Sequence, residues 1–168
     1  DVSGQPRECE RIESPLEYQS RSVACLPNNT GFAVGSIDGR VAVRYLQNAE
    51  KNFIFRCHRQ GSRVYGVNAI CFHSRPGIFA TVGSDGGVNF WDKDKKQRLK
   101  AFQPIQRPVP CANFNAKGDL FAYGSSYDWF RGSAFHNPTS PNHIYVHYVS
   151  DDEINSINPK NKTSIKNK

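Results

Sequence analysis

An all-β chain built from a repeated strand–turn–strand unit is predicted by three observations. A unit recurs, first as Phe32-Ala-Val-Gly-Ser-Ile-Asp-Gly-Arg-Val-Ala-Val-Arg-Tyr45 and then as Phe79-Ala-Thr-Val-Gly-Ser-Asp-Gly-Gly-Val-Asn-Phe-Trp-Asp92, with a worn trace in Phe121-Ala-Tyr-Gly-Ser-Ser-Tyr-Asp-Trp129. The shared Phe-Ala pairs begin at 32, 79 and 121, steps of 47 and 42 residues. Finally, Asp38-Gly39 and Asp85-Gly86 supply the positive φ that a tight hairpin needs, and no segment keeps a helical period.

A period of about 40–45 residues closed by Trp-Asp marks WD40-type β-propeller blades, each a four-stranded sheet. Residues 1–15 are polar and are expected to carry the end of a preceding blade. Strands expected at 22–26, 30–36, 40–46 and 52–58 make a first blade over 16–60, turning at Pro27-Asn-Asn and at Asp38-Gly39. A second blade over 61–104 uses strands at 64–72, 78–83, 88–91 and 98–102. The third, over 105–150, has strands at 109–114, 120–125 and 144–149, and a polar insertion at 127–142 interrupts it. It lacks a convincing fourth strand. Residues 151–168 read as a basic, disordered tail, with Lys160, Lys162, Lys166 and Lys168 and no acid after Glu153. Three blades cannot close a ring and leave sheet edges open. With Asp1 first and no methionine, the expectation is a piece of a longer protein.

Hydrophobic content of 38%, aromatic content of 12% and ten prolines fit short strands and frequent turns. No apolar run reaches the ~18 residues that span a bilayer, and no signal peptide is expected. Four of the five cysteines, Cys25, Cys57, Cys71 and Cys111, lie in apolar strand-like runs. They read as buried free thiols of a reducing compartment, which makes the sequons at Asn28 and Asn161 chance matches. Cys57-His58 and Cys71-x-His73 match no common zinc spacing, so no metal or other cofactor is expected. His58 reads instead as a hydrogen-bonding residue between blades. Neither a Gly-x-Ser-x-Gly elbow nor a phosphate-cradling glycine loop is present, and the chain is expected not to be an enzyme. Net charge is +7, and Trp91–Lys100 holds five bases against two acids, a balance that favours an acidic partner such as RNA or an acidic peptide.

Arg11-Ile-Glu-Ser-Pro-Leu16, Gly35-Ser-Ile-Asp-Gly-Arg-Val-Ala-Val43, Phe55-Arg-Cys-His-Arg59, Val67-Asn-Ala-Ile-Cys-Phe-His73, Gly83-Ser-Asp-Gly86 and Phe90-Trp-Asp-Lys93, with the 121–129 segment, closely resemble the C-terminal half of the nuclear-pore mRNA export WD40 family. The spindle-checkpoint WD40 family of the kinetochore is its sister. The resemblance covers residues 8–149. It implies the last three blades of a seven-bladed ring, no catalysis, and a place in the nucleus at the nuclear pore and in the cytoplasm. It also implies docking on an acidic helical-hairpin motif, of a nucleoporin for the export branch and of checkpoint kinases for the other. Arg40 matches the arginine that pairs with that motif. RNA backbone and viral proteins are implied partners of an aromatic and basic cluster, here Phe55, Trp91, Lys93, Lys96 and Arg98. Lys96 stands where that branch often has Arg, Arg98 where it often has Lys, and residues 56–64 are shorter than in the family. Trp91 also reads as an ordinary packed strand residue, and 93–98 as a solvated hairpin. A checkpoint adaptor and a generic interaction propeller, such as a ubiquitin-ligase substrate adaptor, stay open as alternatives.

Overall fold

The computed structural model describes Gly4, residues 10–155 and residues 163–164. Its first sheet is antiparallel in the order β1 (Ser20–Cys25), β2 (Gly31–Ser36), β3 (Arg40–Tyr45) and β4 (Phe53–Arg56). A short hairpin, β5 (Arg59–Gln60) with β6 (Arg63–Val64), leads to the second sheet. That sheet runs β7 (Val67–Phe72), β8 (Ile78–Gly83), β9 (Val88–Asp92) and β10 (Gln97–Ala101). The third has β11 (Cys111–Phe114), β12 (Leu120–Ser125) and β13 (His143–Tyr148). The all-β, repeated-sheet architecture is the one the sequence predicts.

Alternation along each strand explains how the sheets stack. In β8, Phe79 and Thr81 face the first sheet while Ala80 and Val82 face the third. Every residue of β8 and β9 is buried, because both faces are covered. One core therefore lies between the first and second sheets, where Val41, Val43, Phe53 and Phe55 meet Val67, Phe79 and Trp91. Another lies between the second and third, where Val82, Val88, Phe90 and Leu99 meet Phe114 and Phe121. The innermost strands β1, β7 and β11 run side by side. The outer face of the third sheet stays open, with Ile144 83% and Tyr148 80% exposed, and Val23 is open on the first. Blades stacked in an arc with a bare face at each end fit part of a propeller.

Both Asp-Gly turns form with glycine at positive φ, 69° at Gly39 and 74° at Gly86. A Cβ at Gly86 would stand 2.0 Å from the Ile105 carbonyl oxygen, so the turn also permits a close backbone approach. Three expectations change. The strand expected to reach residue 58 stops at Arg56, because His58 takes a positive φ of 48° and turns inward. Residues 151–154, expected to begin a disordered tail, form a helical turn, α1 (Asp151–Ile154), because Ile154 can enter the core beside Leu99. Glu153 accepts a hydrogen bond from the Ser150 N–H at its start. A short strand, β14 (Thr163–Ser164), pairs with the outer edge of β10. The rest of the expected tail, and most of the expected preceding blade, lie outside the described residues. Among the described residues no helix is long and apolar enough to cross a membrane.

Candidate partner-binding face

The Asp38-Gly39 turn places Arg40 at the first position of β3, directly opposite Arg56 on β4. Like charges across adjacent strands repel, so this pair needs an anion nearby. Asp38 is one: its Oδ2 lies 3.0 Å from Arg40 Nε and 3.8 Å from Arg59 Nη2. Asp38 Oδ1 also accepts from the Ser36 hydroxyl, and the Asp38 carbonyl oxygen accepts from Arg59 Nη2 at 2.8 Å. One carboxylate thus serves two guanidinium groups, with Arg56 across the strand from the first. The Nε atoms of Arg40 and Arg59 are buried yet have no aligned hydrogen-bond acceptor. Arg56 and Arg63 are exposed beside them. The rim holds cationic capacity for at least one more carboxylate, in the fork geometry that arginine offers.

The second predicted cluster is rearranged by the structure. Phe55 is 1% and Trp91 4% exposed, and their rings pack 4.8 Å apart in the core between two sheets. Neither has surface to give a ligand, which corrects the aromatic part of that expectation. Lys93 is buried as well, donating to the Tyr45 hydroxyl at 3.2 Å and to Asp94 Oδ1 at 2.5 Å. Burial alone would depress its pKa, but the bonds to Asp94 and Tyr45 hold it above the ordinary lysine value. Lys96 and Arg98 are half-buried, Lys96 with its ammonium 5.0 Å from the centre of the Phe53 ring. With Lys95 and Lys100 they form a basic hairpin at the Tyr45 end of β3. Arg40 begins that strand, so the two basic sites sit at opposite ends of one six-residue strand, about 16 Å apart.

Trp91 has a different task. Its Nε1–H donates to Thr81 Oγ1 at 2.9 Å. The Thr81 hydroxyl lies 2.9 Å from His58 Nε2, and because the Asp85 carboxylate takes the Nδ1–H of the neutral ring, Nε2 accepts from that hydroxyl. His58 Nδ1–H then donates to Asp85 Oδ1 at 2.8 Å. Burial would raise the Asp85 carboxyl, but the hydrogen bonds from His58 and the Gly87 N–H outweigh it and hold the carboxyl below its ordinary value. His58 follows the first sheet and Thr81 and Asp85 belong to the second, so this relay pins one blade to the next. His58 as an interblade residue was legible in sequence; Thr81 was not, although its place between Phe79 and Val82 in the repeat marks an inward strand position.

A family model described as WD domain, G-beta repeat matches residues 50–92, the span that contains His58, Thr81, Asp85 and Trp91. The chain is 49% identical over 150 residues to Protein RAE1 of Arabidopsis thaliana, covering 88% of this chain and 43% of that protein. It is 48% identical over 147 residues to the Poly(A)+ RNA export protein of Schizosaccharomyces pombe, covering 84% of this chain and 42% of that one. To the mRNA export factor of Rattus norvegicus it is 43% identical over 175 residues, covering 96% and 46%. The chain carries a WD40 repeat. It spans less than half the length of the curated relatives it matches. In this WD40 chain the Trp-Asp pair divides its roles: Trp91 feeds the buried relay, while Asp92 Oδ1 accepts from the backbone N–H of Asp94 and Lys95 and shapes the basic hairpin.

A second histidine joins the second and third blades. His73 Nε2–H donates to the Gly118 carbonyl at 2.9 Å, and Nδ1 accepts from the Arg75 N–H at 2.8 Å. Protonation would set a second N–H against that donor. Burial is the main cause that lowers its pKa below 6.5; the Gly118 carbonyl opposes this and Arg75 adds to it. The folded state therefore binds this proton less tightly than the unfolded chain. The His73 contribution to stability is full above pH 6.5 and is lost as pH falls from 6.5 through the folded value. Denaturant midpoints at pH 7.5 and 5.5 should differ in that direction, and His73→Gln, which keeps a donor, should reduce the difference. Of the cysteines, Cys57 and Cys71 are buried, and burial pushes the Cys71 thiol up to about 12. Cys25 and Cys111 are exposed, contrary to expectation, because the strands that carry them lie at sheet edges. Cys9 lies outside the described residues.

Proposed function

We propose that this chain is the non-enzymatic, partner-binding part of an mRNA export scaffold that works at the nuclear pore and moves between nucleus and cytoplasm. Its Arg40 rim docks an acidic motif of a nucleoporin, and the basic hairpin at Lys96 and Arg98 meets RNA backbone. The observation that carries the reading is the Arg40–Arg56 cross-strand pair, backed by Arg59, with Asp38 the acid beside it among the described residues. The names of the relatives support the process. An incoming carboxylate relieves like-charge repulsion and accepts from the outward guanidinium N–H groups of Arg40 and the exposed Arg56.

Calorimetric titration of a nucleoporin acidic-motif peptide tests the docking. Arg40→Ala should weaken binding by about 2–3 kcal/mol, some 30- to 150-fold, while Arg40→Lys recovers only part of the loss, because a point charge cannot replace the fork. Equal affinity in wild type and Arg40→Ala would remove Arg40 from the site. Preferential capture of checkpoint kinases over the nucleoporin would favour the kinetochore reading. For RNA, removing Lys96 or Arg98 should each lower the slope of log affinity against log salt by about 1. A slope unchanged in both variants would exclude the hairpin.

A further inference from the structure

The connection from β12 to β13 presents aromatic rings to solvent. Trp129 is 56%, Phe130 52% and Phe135 53% exposed. Trp129 stacks on His136 with centroids 4.9 Å apart and planes 16° from parallel, and Tyr127 lies 5.6 Å from Trp129. The Arg131 guanidinium sits 3.7 Å over the Phe135 ring. This surface is held in place. Asp128 at its root is buried, accepting from Asn68 Nδ2 at 3.0 Å and from the Ser84 hydroxyl, and its carbonyl accepts from Arg21 Nη2 at 2.8 Å. The first two sheets thus grip the base of a connection that the third sheet carries. Tyr127 OH donates to the Gly132 carbonyl at 2.7 Å, and the Gly132 N–H donates to the Trp129 carbonyl, closing the turn in which Trp129 adopts a positive φ of 60°. A bulky residue held in that conformation and turned outward is a costly arrangement unless its ring is used.

We propose that Trp129, His136 and Tyr127, with Arg131, form a stacking platform for single-stranded nucleic acid. The chemistry favours bases over a protein segment. The exposed apolar surface of 126–142 is π-surface, and Ala134 is its only aliphatic side chain apart from prolines. The segment's only acid, Asp128, is buried, so no carboxylate of 126–142 faces an approaching phosphate. An aromatic stack with an arginine beside it accepts bases of any identity. The site is separate from the Arg40 rim and from the Lys96–Arg98 hairpin, and it deepens the RNA part of the proposed function by giving bases, rather than phosphates, a contact.

The probes are short oligoadenylate and oligouridylate RNAs, titrated into the full chain and followed by anisotropy of a label on the RNA. Trp129→Ala should weaken binding about tenfold at every salt concentration without changing the salt slope, and Trp129→Phe should keep most of the affinity. Lys96 and Arg98 variants should instead change the slope, so the two sites fail separately. Ultraviolet cross-linking of the unmodified chain should map to residues 127–136, a result independent of how any variant folds. Unchanged affinity in Trp129→Ala, cross-links confined to 95–100, or displacement of RNA from neither site by excess unlabelled RNA would overturn the platform. So would a proline-rich peptide that binds at Trp129 where RNA does not.

Discussion

Replacing Thr81 with valine should lower the unfolding free energy by about 4 kcal/mol, despite near-equal volume. The substitution strands the Trp91 indole N–H and the His58 Nε2 acceptor, both deep between two sheets. Each buried polar group left without a partner costs about 1–3 kcal/mol. Thr81→Ser keeps the hydroxyl and should lose only about 1 kcal/mol, through the missing methyl. Equilibrium denaturation of the two variants separates relay from volume; a valine variant no weaker than the serine one would show that the relay contributes little. A functional consequence follows from chain position. His58 lies between Cys57 and Arg59, and Arg59 donates to the Asp38 carbonyl at the foot of the Arg40 rim. Loosening His58 should therefore also weaken the acidic peptide, although Thr81 touches no part of that rim.

Phe90→Ala should cost about 4 kcal/mol as well, by a different mechanism. Phe90 has no exposed surface and is the hub of an aromatic cluster, 5.1 Å from Phe102, 5.4 Å from Phe114 and 5.3 Å from Phe121, centre to centre. Truncation opens a cavity that rigid strand backbones on both sides cannot close. That core joins the second and third sheets, whereas the Arg40 rim hangs on the first. Peptide affinity below the unfolding transition should thus be unchanged in Phe90→Ala and reduced in Thr81→Val. Similar affinity losses in both variants would show that the blades transmit strain along the arc.

Strand positions and turns were legible because they depend on neighbours a few residues away. Alternation in Val41–Val43 and Phe79–Val82, and the Asp-Gly pairs, carry that information locally. The site was legible in part. Arg40 stands out once the turn before it is recognised, but its partners Arg56 and Arg59 lie across a strand and a loop. Lys93 shows the reverse case: beside Lys95 and Lys96 it looks like part of a basic surface, yet Tyr45, 48 residues earlier, draws it inward. Asp128 likewise reads as an insertion residue until Asn68 and Arg21 are seen to hold it.

By itself, then, the sequence determined the repeat, the all-β class, the hairpin turns and the basic character of the chain, since each follows from local conformational preference and composition. Only the tertiary structure decided which of the charged and aromatic side chains have surface to offer. Burial is set by residues brought together from distant segments: the packing of one blade on the next took Phe55, Trp91 and Lys93 into the interior, and left Arg40 and Trp129 at the rims where a partner can reach them.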